Sequence, residues 1–351
     1  MSTFKLNNLL RANIRSLIPY TSARSEYSGD AAVYLDANEN AVGAAAGMIY
    51  RRYPDPLQQA LKAKIGKIKR VRPERIFLGN GSDEPIDLLM RAVCRPGQDN
   101  ILLFPPTYGM YGVAAQINDV AVKQVMLGAD FQVDRAAARE AVDNHTRIVF
   151  FCTPNNPTGN LLRPEAIADM LGYFNGLVVV DEAYMDFAGA GSWTEQLEHY
   201  PNLVVLQTFS KAWGMAGLRL GMAFASGEIV DVLNNIKAPY NISAAAQHLA
   251  VEALQRGEEV RRWTLLLRSE RTRLAELLKT FSFIEKVYPS DANFLLVRVT
   301  DAGTLYRYLL ENRIVVRNRS NQPLCAECLR ITVGTPEEND YLIQTLKDYH
   351  P

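Results

Sequence analysis

The sequence lacks an excess of charge of either sign and lacks any long apolar run. Its 351 residues include 38 Lys and Arg and 38 Asp and Glu, so the formal net charge is zero. Proteins that bind nucleic acid usually carry a basic excess, and this balance argues against that class. No segment approaches the ~18 consecutive apolar residues that a membrane span needs. With 48% hydrophobic and 22% charged residues, the composition is that of an ordinary globular protein.

Cysteine is scarce, and the N-terminus has no signal-peptide pattern. Polar residues such as Asn7, Arg11 and Arg15 interrupt each apolar run there, which predicts a cytoplasmic protein with reduced thiols. Two of the four cysteines, Cys325 and Cys328, form a C-x-x-C. A zinc site needs about four ligands, and the four histidines supply no second pair. We therefore prefer a turn before a strand to a zinc or redox site.

Short apolar runs alternate with helical stretches through most of the chain. Runs such as 148–151 and 177–180 are apolar on both faces, as in a parallel sheet covered by helices. The alternation predicts an α/β fold with a large, mostly parallel sheet. The strand candidates are Arg75–Leu78, Asn100–Phe104, Ala121–Val125, Thr146–Cys152, Leu177–Val180, Leu203–Gln207 and Arg219–Ala225.

The pattern changes near residue 244, where long charged helices and shorter strands begin. We expect a large domain over residues 30–245. We expect a smaller α+β domain from residues 246–351 together with an N-terminal arm over residues 1–29. The expected strands of the small domain are Glu285–Tyr288, Phe294–Val299, Ile314–Arg317 and Leu329–Val333.

Polar residues follow several of the predicted strands, and ligands bind at the carboxyl ends of strands in open α/β sheets. The turn that holds Gly81, Ser82 and Asp83 precedes a predicted helix, so it fits either an anion site or simple helix capping. Asn156 lies in a Pro- and Asn-rich turn that is either a connector or a donor into the cleft. Asp181 ends an apolar strand, where a carboxylate needs a cation, a Mg²⁺ ion or a structural partner.

A lysine follows the next strand in a loop that also carries hydroxyl groups. Lys211 comes after Thr208 and Ser210, and Arg219 lies eight residues beyond it. A nearby guanidinium lowers the pKa of a lysine, and a neutral amine is a nucleophile for carbonyl groups. The alternative is an ordinary pair of surface cations.

The order and spacing of these motifs resemble the fold-type I aminotransferases that use pyridoxal 5′-phosphate. The motifs are Asn-Pro-Thr-Gly from Asn156, Asp-Glu-Ala-Tyr from Asp181, and Ser-Lys at Lys211 with Gly-Leu-Arg ending at Arg219. The resemblance covers nearly the whole chain and implies a mostly parallel seven-stranded sheet covered by helices, plus a smaller α+β domain.

The resemblance also implies a role for each motif residue. Lys211 would form an aldimine with the cofactor and then move protons. Asp181 would pair with the pyridine nitrogen, and Tyr184 and Asn156 would hydrogen-bond the ring oxygen. Tyr108 would stack on the ring. Without the other motifs, the simpler interpretation is that Tyr108 is an aromatic residue of the hydrophobic core. The residues implied for the phosphate cup are Gly81, Ser82, Asp83, Thr208, Ser210 and Arg219.

Three further segments resemble the histidinol-phosphate aminotransferase family. They are Leu-Asp-Ala-Asn-Glu-Asn from Leu35, Tyr-Arg-Arg-Tyr-Pro-Asp-Pro from Tyr50, and the segment around Arg330. The family implies a homodimer in which Tyr53 reaches the cofactor phosphate of the other subunit. It also implies that Arg330 binds the substrate phosphate or the carboxylate of glutamate. The further residues implied for the substrate pocket are Arg317, Tyr20 and Asn38.

The implied reaction is a ping-pong transfer from L-glutamate to imidazole acetol phosphate, giving 2-oxoglutarate and L-histidinol phosphate. Aromatic-amino-acid aminotransferases and threonine-phosphate decarboxylases share most of these motifs, and substrate choice depends on pocket shape. A ligand sensor fused to a DNA-binding domain would need an added N-terminal domain, for which we expect no room before Leu35. Ala41 stands where the family often has proline after Asn-Glu-Asn, and the segment Ala44–Met48 is short.

Overall fold

The computed structural model describes residues 4–21 and 31–350, apart from the side chain of Ile49. A seven-stranded sheet forms the larger part of the described chain, with the strand order β1-β7-β6-β5-β4-β2-β3. All neighbours are parallel except that β7 runs opposite to β1 and β6. The strands are β1 Ile76–Asn80, β2 Asn100–Leu103, β3 Ala121–Gln124, β4 Thr146–Cys152, β5 Leu177–Asp181, β6 Leu203–Thr208 and β7 Leu220–Phe224.

Helices cover both faces of this sheet, because alternate side chains of each buried strand point to opposite faces. In β4, Ile148 and Phe150 face one core, whereas Val149 and Phe151 face the other. The fold class predicted from the sequence is therefore confirmed. The helices of this part are α1 Leu6–Leu9, α2 Ala12–Arg15, α3 Gln59–Lys69, α4 Asp83–Val93, α5 Met110–Ile117, α6 Arg135–Ala141, α7 Pro164–Tyr173, α8 Gly227–Ile236 and α9 Ala244–Ala253.

A second, four-stranded antiparallel sheet lies in the C-terminal part and has its own core of buried residues. Its strands are β8 Ile284–Val287, β9 Phe294–Val299, β10 Arg317–Asn318 and β11 Cys328–Thr332, in the order β10-β11-β9-β8. The helices that accompany it are α10 Gly257–Leu278, α11 Ala302–Glu311 and α12 Pro336–Lys347. The boundary near residue 245 remains a prediction.

The predicted strand 314–317 is mostly wrong. Arg313 adopts a left-handed backbone with φ of 61°, and the ladder with β11 begins only at Arg317. The turn leaves Val315 77% exposed. The three consecutive apolar residues 314–316 favoured a strand in the sequence. The left-handed Arg313 before them directs the chain away from the sheet.

The N-terminal segment packs differently from our expectation. Leu6, Leu9 and Leu10 belong to the core on one face of the large sheet. Arg11 donates its backbone N–H to Ala92 at the end of α4, at 3.0 Å. The described part of the arm therefore lies on the large sheet and not with the small domain, because its three leucines share one apolar face.

No helix in residues 4–21 and 31–350 is long and apolar enough to cross a membrane.

Candidate active site

A cleft opens where β4, β5 and β6 end at their carboxyl termini. It gathers residues that are far apart in the chain, because parallel strands bring their carboxyl ends to one edge of the sheet. Its lining residues are Ser82, Asp83, Tyr108, Cys152, Asn156, Asp181, Ala183, Tyr184, Thr208, Ser210, Lys211, Ala216 and Arg219. All but three of them were predicted from the motifs.

Asp181 lies at the floor of this cleft and is 2% exposed. Tyr111 donates its hydroxyl to Asp181 Oδ2 at 2.6 Å, and the backbone N–H of Ala183 donates to Oδ1 at 3.1 Å. Burial raises the pKa of the carboxyl, whereas these two hydrogen bonds and the charge of Lys211 lower it by less than burial raises it. A buried carboxylate held in this way is suited to a cationic partner in the cleft.

Lys211 extends from the loop after β6 into the same cleft. Its Nζ lies 5.5 Å from the ring centroid of Tyr184. The side chain is open to the cleft, but partial burial of the amine is the largest cause of its lowered pKa. Arg330 is the next largest cause, and Arg219 contributes less. The sequence indicated the direction but named Arg219 as the main cause, because Arg330 lies 119 positions further along the chain.

The glycine turn after β1 forms an anion cup at the N-terminus of α4. Gly81 has a φ of 72°, and its N–H donates to the carbonyl oxygen of Arg219 at 2.8 Å. A Cβ at Gly81 would lie 2.6 Å from Arg219 Nη2, so only glycine leaves room for that guanidinium. Ser82 makes no side-chain cap, which leaves the N–H groups of the first turn open to an anion.

Hydroxyl groups and a salt bridge complete the cup. Thr208 Oγ1 lies 2.9 Å from Ser210 Oγ, and the backbone N–H of Ser210 donates to Thr208 Oγ1 at 3.1 Å. Arg219 Nη2 lies 3.4 Å from Asp83 Oδ2. The hydroxyl of Tyr108 donates to Asp83 Oδ1 at 3.1 Å. These donors converge at one end of the cleft, as a phosphate group requires.

A second pocket adjoins this cleft and shares Tyr108, Asn156, Tyr184 and Lys211 with it. Arg330 Nη1 donates to Asn156 Oδ1 at 2.6 Å, so the amide nitrogen of Asn156 is the group left to donate elsewhere. The cationic residues that line the pocket are Lys211, Arg317, Arg319 and Arg330.

The donor set fits pyridoxal 5′-phosphate. A cup of N–H and hydroxyl donors suits the phosphate, and the buried carboxylate of Asp181 suits the ring nitrogen. Lys211 opens into the same cleft, where its amine is available to the cofactor aldehyde.

Comparisons with known proteins agree with this chemistry. Residues 23–346 match the family model described as Aminotransferase class I and II. The chain is 52% identical over 346 residues to a histidinol-phosphate aminotransferase of Cytophaga hutchinsonii, a match that covers 99% of each chain. It is 51% identical over 345 residues to that of Bacteroides fragilis, covering 98% of this chain and 99% of the other.

This chain belongs to the histidinol-phosphate aminotransferase family.

Solved structures of the family have the same architecture. The histidinol-phosphate aminotransferase of Clostridium acetobutylicum matches with a TM-score of 0.79 at 26% identity, covering 85% of this chain and 90% of that one. That of Sinorhizobium meliloti, solved in complex with pyridoxal 5′-phosphate, matches with a TM-score of 0.77 at 23% identity. It covers 85% of this chain and 84% of the other, and it supports the fold.

Three residues that the family resemblance implied line neither the cleft nor the adjoining pocket. Asn38 and Tyr53 line a separate groove, in which the ring of Tyr53 stacks on Tyr240 at 4.4 Å. Tyr20 is 76% exposed.

The C-x-x-C does not form a metal site within the described residues, where no cluster of three or more His, Cys, Asp or Glu side chains could hold an ion. Cys325 and Cys328 are buried, and the backbone N–H of Cys328 donates to the carbonyl oxygen of Cys325 at 3.1 Å, as in a turn. Burial raises the pKa of Cys325 to about 12, which keeps its thiol protonated.

Tyr111 is a residue that the sequence did not reveal. It is fully buried, its ring stacks on Phe150 at 4.6 Å, and its hydroxyl reaches Asp181 across 70 positions of sequence. Its place on α5, three residues after Tyr108, was the available signal. Tyr108 precedes the first residue of α5, and its ring packs edge to face against that of Tyr111 with the centroids 5.5 Å apart.

We expect Tyr111→Phe to raise the pKa of Asp181 further, because the carboxylate loses a hydrogen bond in a buried site. The apparent affinity for pyridoxal 5′-phosphate should fall about 10-fold, since a hydrogen bond to a charged group is worth about 1.5–3 kcal/mol. Equilibrium dialysis of the cofactor against the apoprotein would measure this. Tyr173→Phe, at a buried hydroxyl without a partner among the described residues, is the control. Equal cofactor affinity in both variants would contradict the role of Tyr111.

Proposed function

We propose that this chain is a pyridoxal 5′-phosphate-dependent transaminase that acts on histidinol phosphate. The reaction converts imidazole acetol phosphate and L-glutamate into L-histidinol phosphate and 2-oxoglutarate, in the biosynthesis of histidine. The observation that carries the substrate is the pocket beside Lys211, which holds Arg317, Arg319 and Arg330. The names of relatives at about half identity over the full length support the same substrate.

The residues proposed to hold the cofactor are those of the cleft floor and the anion cup. Asp181 would pair with the ring nitrogen, and Tyr184 and the amide nitrogen of Asn156 would bind the ring oxygen. When bound, pyridoxal 5′-phosphate supplies an aldehyde and an electron-withdrawing ring that acidifies the substrate Cα–H. Tyr108 would lie against the ring face, although in this structure its hydroxyl bonds Asp83.

Lys211 is the proposed base. Its lowered pKa increases the neutral fraction of the amine, which is the form that accepts a proton from the substrate Cα. With a protonated ring nitrogen opposite it, Asp181 would keep its negative charge, because that attraction offsets the cost of burying the charge.

Arg317 and Arg330 would bind the anionic end of either substrate. The planar guanidinium groups suit both a phosphate and a carboxylate. This dual fit lets L-glutamate and histidinol phosphate use one pocket in turn, as the two half-reactions require. Tyr20 and Asn38 remain proposed substrate contacts.

A half-reaction tests the proposal directly. The protein is loaded with pyridoxal 5′-phosphate, every keto acid is omitted, and L-histidinol phosphate is added. We expect the visible absorption band of the bound cofactor to disappear, because the amino group passes to the cofactor once and finds no acceptor. L-Glutamate should produce the same change.

Other results would revise the proposal in defined ways. Loss of the band with phenylalanine or tyrosine but not with histidinol phosphate would make the protein an aromatic aminotransferase. Release of CO₂ from threonine phosphate would indicate a decarboxylase. A protein that forms no cofactor band would refute the assignment of Lys211.

We also propose a homodimer in the cytoplasm. Tyr53 is half-exposed and lies outside the anion cup of its own chain. The segment around it carries exposed apolar side chains that a partner would cover, namely Val33, Leu35, Val42, Met48 and Tyr50. In such a dimer, Tyr53 would donate its hydroxyl to the cofactor phosphate of the partner.

We expect Tyr53→Phe to weaken cofactor binding about 10- to 100-fold without changing the oligomeric state, because one hydrogen bond to a charged group is lost. Cofactor titration and sedimentation would measure the two quantities. Tyr341→Phe, at an exposed tyrosine remote from the cleft, is the control.

Mixed dimers show whether Tyr53 crosses between subunits. Chains with Tyr53→Phe mixed with chains with Lys211→Ala would form one site with both native residues, so activity should exceed the sum of the two parents. The control mixes the Tyr53→Phe chain with a chain carrying both substitutions, which forms no such site. No gain in the first mixture would contradict the crossing.

A further inference from the structure

Three arginines share one face of the ladder between β10 and β11. Arg317 pairs directly with Arg330 across the two strands, so their side chains lie on the same face. Arg319 follows Arg317 by two positions, and its N–H donates to the carbonyl oxygen of Cys328 at 2.8 Å, which continues the ladder. Since side chains two apart in a strand share a face, Arg319 joins the other two in the pocket.

No carboxylate in residues 4–21 or 31–350 forms a salt bridge with any of these three guanidinium groups. Like charges directly opposite each other in a ladder are destabilising. The arrangement therefore favours a bound anion, which the described residues do not provide.

The three arginines are engaged to different degrees. Arg330 donates to Asn156 and lies 5.2 Å from the ring centroid of Phe294. Arg319 has no side-chain hydrogen bond among the described residues. Its Nε is buried without a partner, as is the Nε of Arg330. Burial and the charge of Arg317 lower the pKa of Arg319. A guanidinium held in this state gains most from an anion with several acceptor oxygens.

We propose that Arg319 binds the substrate phosphate as a third cation beside Arg317 and Arg330, and that it makes the pocket prefer a phosphate to a carboxylate. The inference rests on the proposed function and assigns a specificity residue to it. A phosphate monoester carries about −1.5 to −2 charges at pH 7 and three acceptor oxygens, enough to engage three guanidinium groups. A carboxylate has one charge and two oxygens, which Arg330 and Arg317 satisfy without Arg319.

Arg319→Gln tests this by separating the two half-reactions. In the cofactor-loaded enzyme, kcat/KM for histidinol phosphate should fall about 10- to 100-fold, the effect of losing a hydrogen bond to a charged group. The loss should lie mainly in KM, since the contact binds ground state and transition state alike. The half-reaction with L-glutamate should change less than about threefold.

Two further variants separate binding from folding and charge. Arg313→Gln makes the same change at an exposed arginine of a different groove and should leave both half-reactions unchanged. Arg319→Lys should recover part of the affinity, because it keeps the charge but not the planar fork. Inorganic phosphate, as a competitive inhibitor of the loaded enzyme, should bind Arg319→Gln about 10-fold more weakly than the parent protein.

Equal losses with histidinol phosphate and L-glutamate would overturn the proposal, as would unchanged inhibition by inorganic phosphate. Its failure is distinct from failure of the proposed function. If the parent protein does not react with histidinol phosphate, the function is wrong. If the parent protein reacts and Arg319→Gln behaves like Arg313→Gln, the function stands and the role of Arg319 is wrong.

Discussion

Replacement of Lys211 by alanine is expected to lower turnover with histidinol phosphate by about 10⁴-fold, because the cleft loses both its nucleophile and its base. Lys211 is the lysine that lines both the cofactor cleft and the arginine pocket. The fold should be unaffected, since the side chain is open to the cleft and not part of the core. Single-turnover absorption measurements would give the rate.

The control is Lys279→Ala, which removes a surface lysine paired with Glu276 at 2.6 Å. That variant should keep full activity, because exposed ion pairs contribute ~0–1 kcal/mol. Cofactor should still bind Lys211→Ala through the anion cup, and a small primary amine in solution should restore part of the proton transfer. Turnover of Lys211→Ala near the parent rate would refute the assignment of this lysine.

The pKa of Lys211 links substrate binding to the proposed chemistry. Arg330 lowers that pKa by its positive charge. An anion bound to Arg330 offsets the charge, so the pKa of Lys211 rises when substrate is in the pocket. The amine of Lys211 thus becomes a stronger base once substrate is bound. The arginine pocket therefore contributes to reactivity as well as to binding.

The sequence predicted those parts of the site that are local in the chain. Asp181 follows four buried apolar residues, and Gly81 precedes a helix, so strand and helix ends place them at one edge of the sheet. The same reasoning located Lys211 and Arg219. Local motifs and sheet topology together were sufficient for these residues.

Tyr111 and Arg319, whose positions in the site depend on distant contacts, were not predicted from the sequence. Tyr111 reaches Asp181 of β5 from helix α5, and Arg319 acquires its place only when β10 pairs with β11. The leucines of the N-terminal segment find their partners on the large sheet. Periodicity shows which face of an element is apolar, but it does not show which core will accept that face.

Replacement of Asp181 by asparagine is the second large effect, and we expect kcat to fall about 10²- to 10³-fold. Asparagine keeps the shape of the side chain and removes its charge. The carboxylate is the negative group at the floor of the cleft, held by Tyr111 and the backbone of Ala183. Without it, a ring nitrogen bound there would lose the partner that stabilises its protonated form.

We expect Asp181→Asn to lose activity without losing thermal stability. A comparison of the two quantities therefore distinguishes a catalytic defect from misfolding. The pKa of Asp181 is raised by burial, so in the folded apoprotein the ionised carboxylate costs stability above the ordinary pKa of aspartate. Asp181→Asn removes that cost. The melting temperature of the apoprotein at pH 7 should therefore be unchanged or higher, and the difference should shrink below about pH 4, where the carboxyl is neutral in both states.

The control for this variant is Asp130→Asn, at an exposed aspartate that pairs with Arg163 at 2.8 Å. It should keep both activity and stability, because an exposed ion pair is worth ~0–1 kcal/mol. A loss of activity in Asp181→Asn together with a large fall in its melting temperature would indicate a structural role instead. Full activity would mean that the buried carboxylate does not face the ring nitrogen. The proposed orientation of the cofactor would then be wrong, because that orientation rests on the phosphate lying in the anion cup and the ring nitrogen lying beside Asp181.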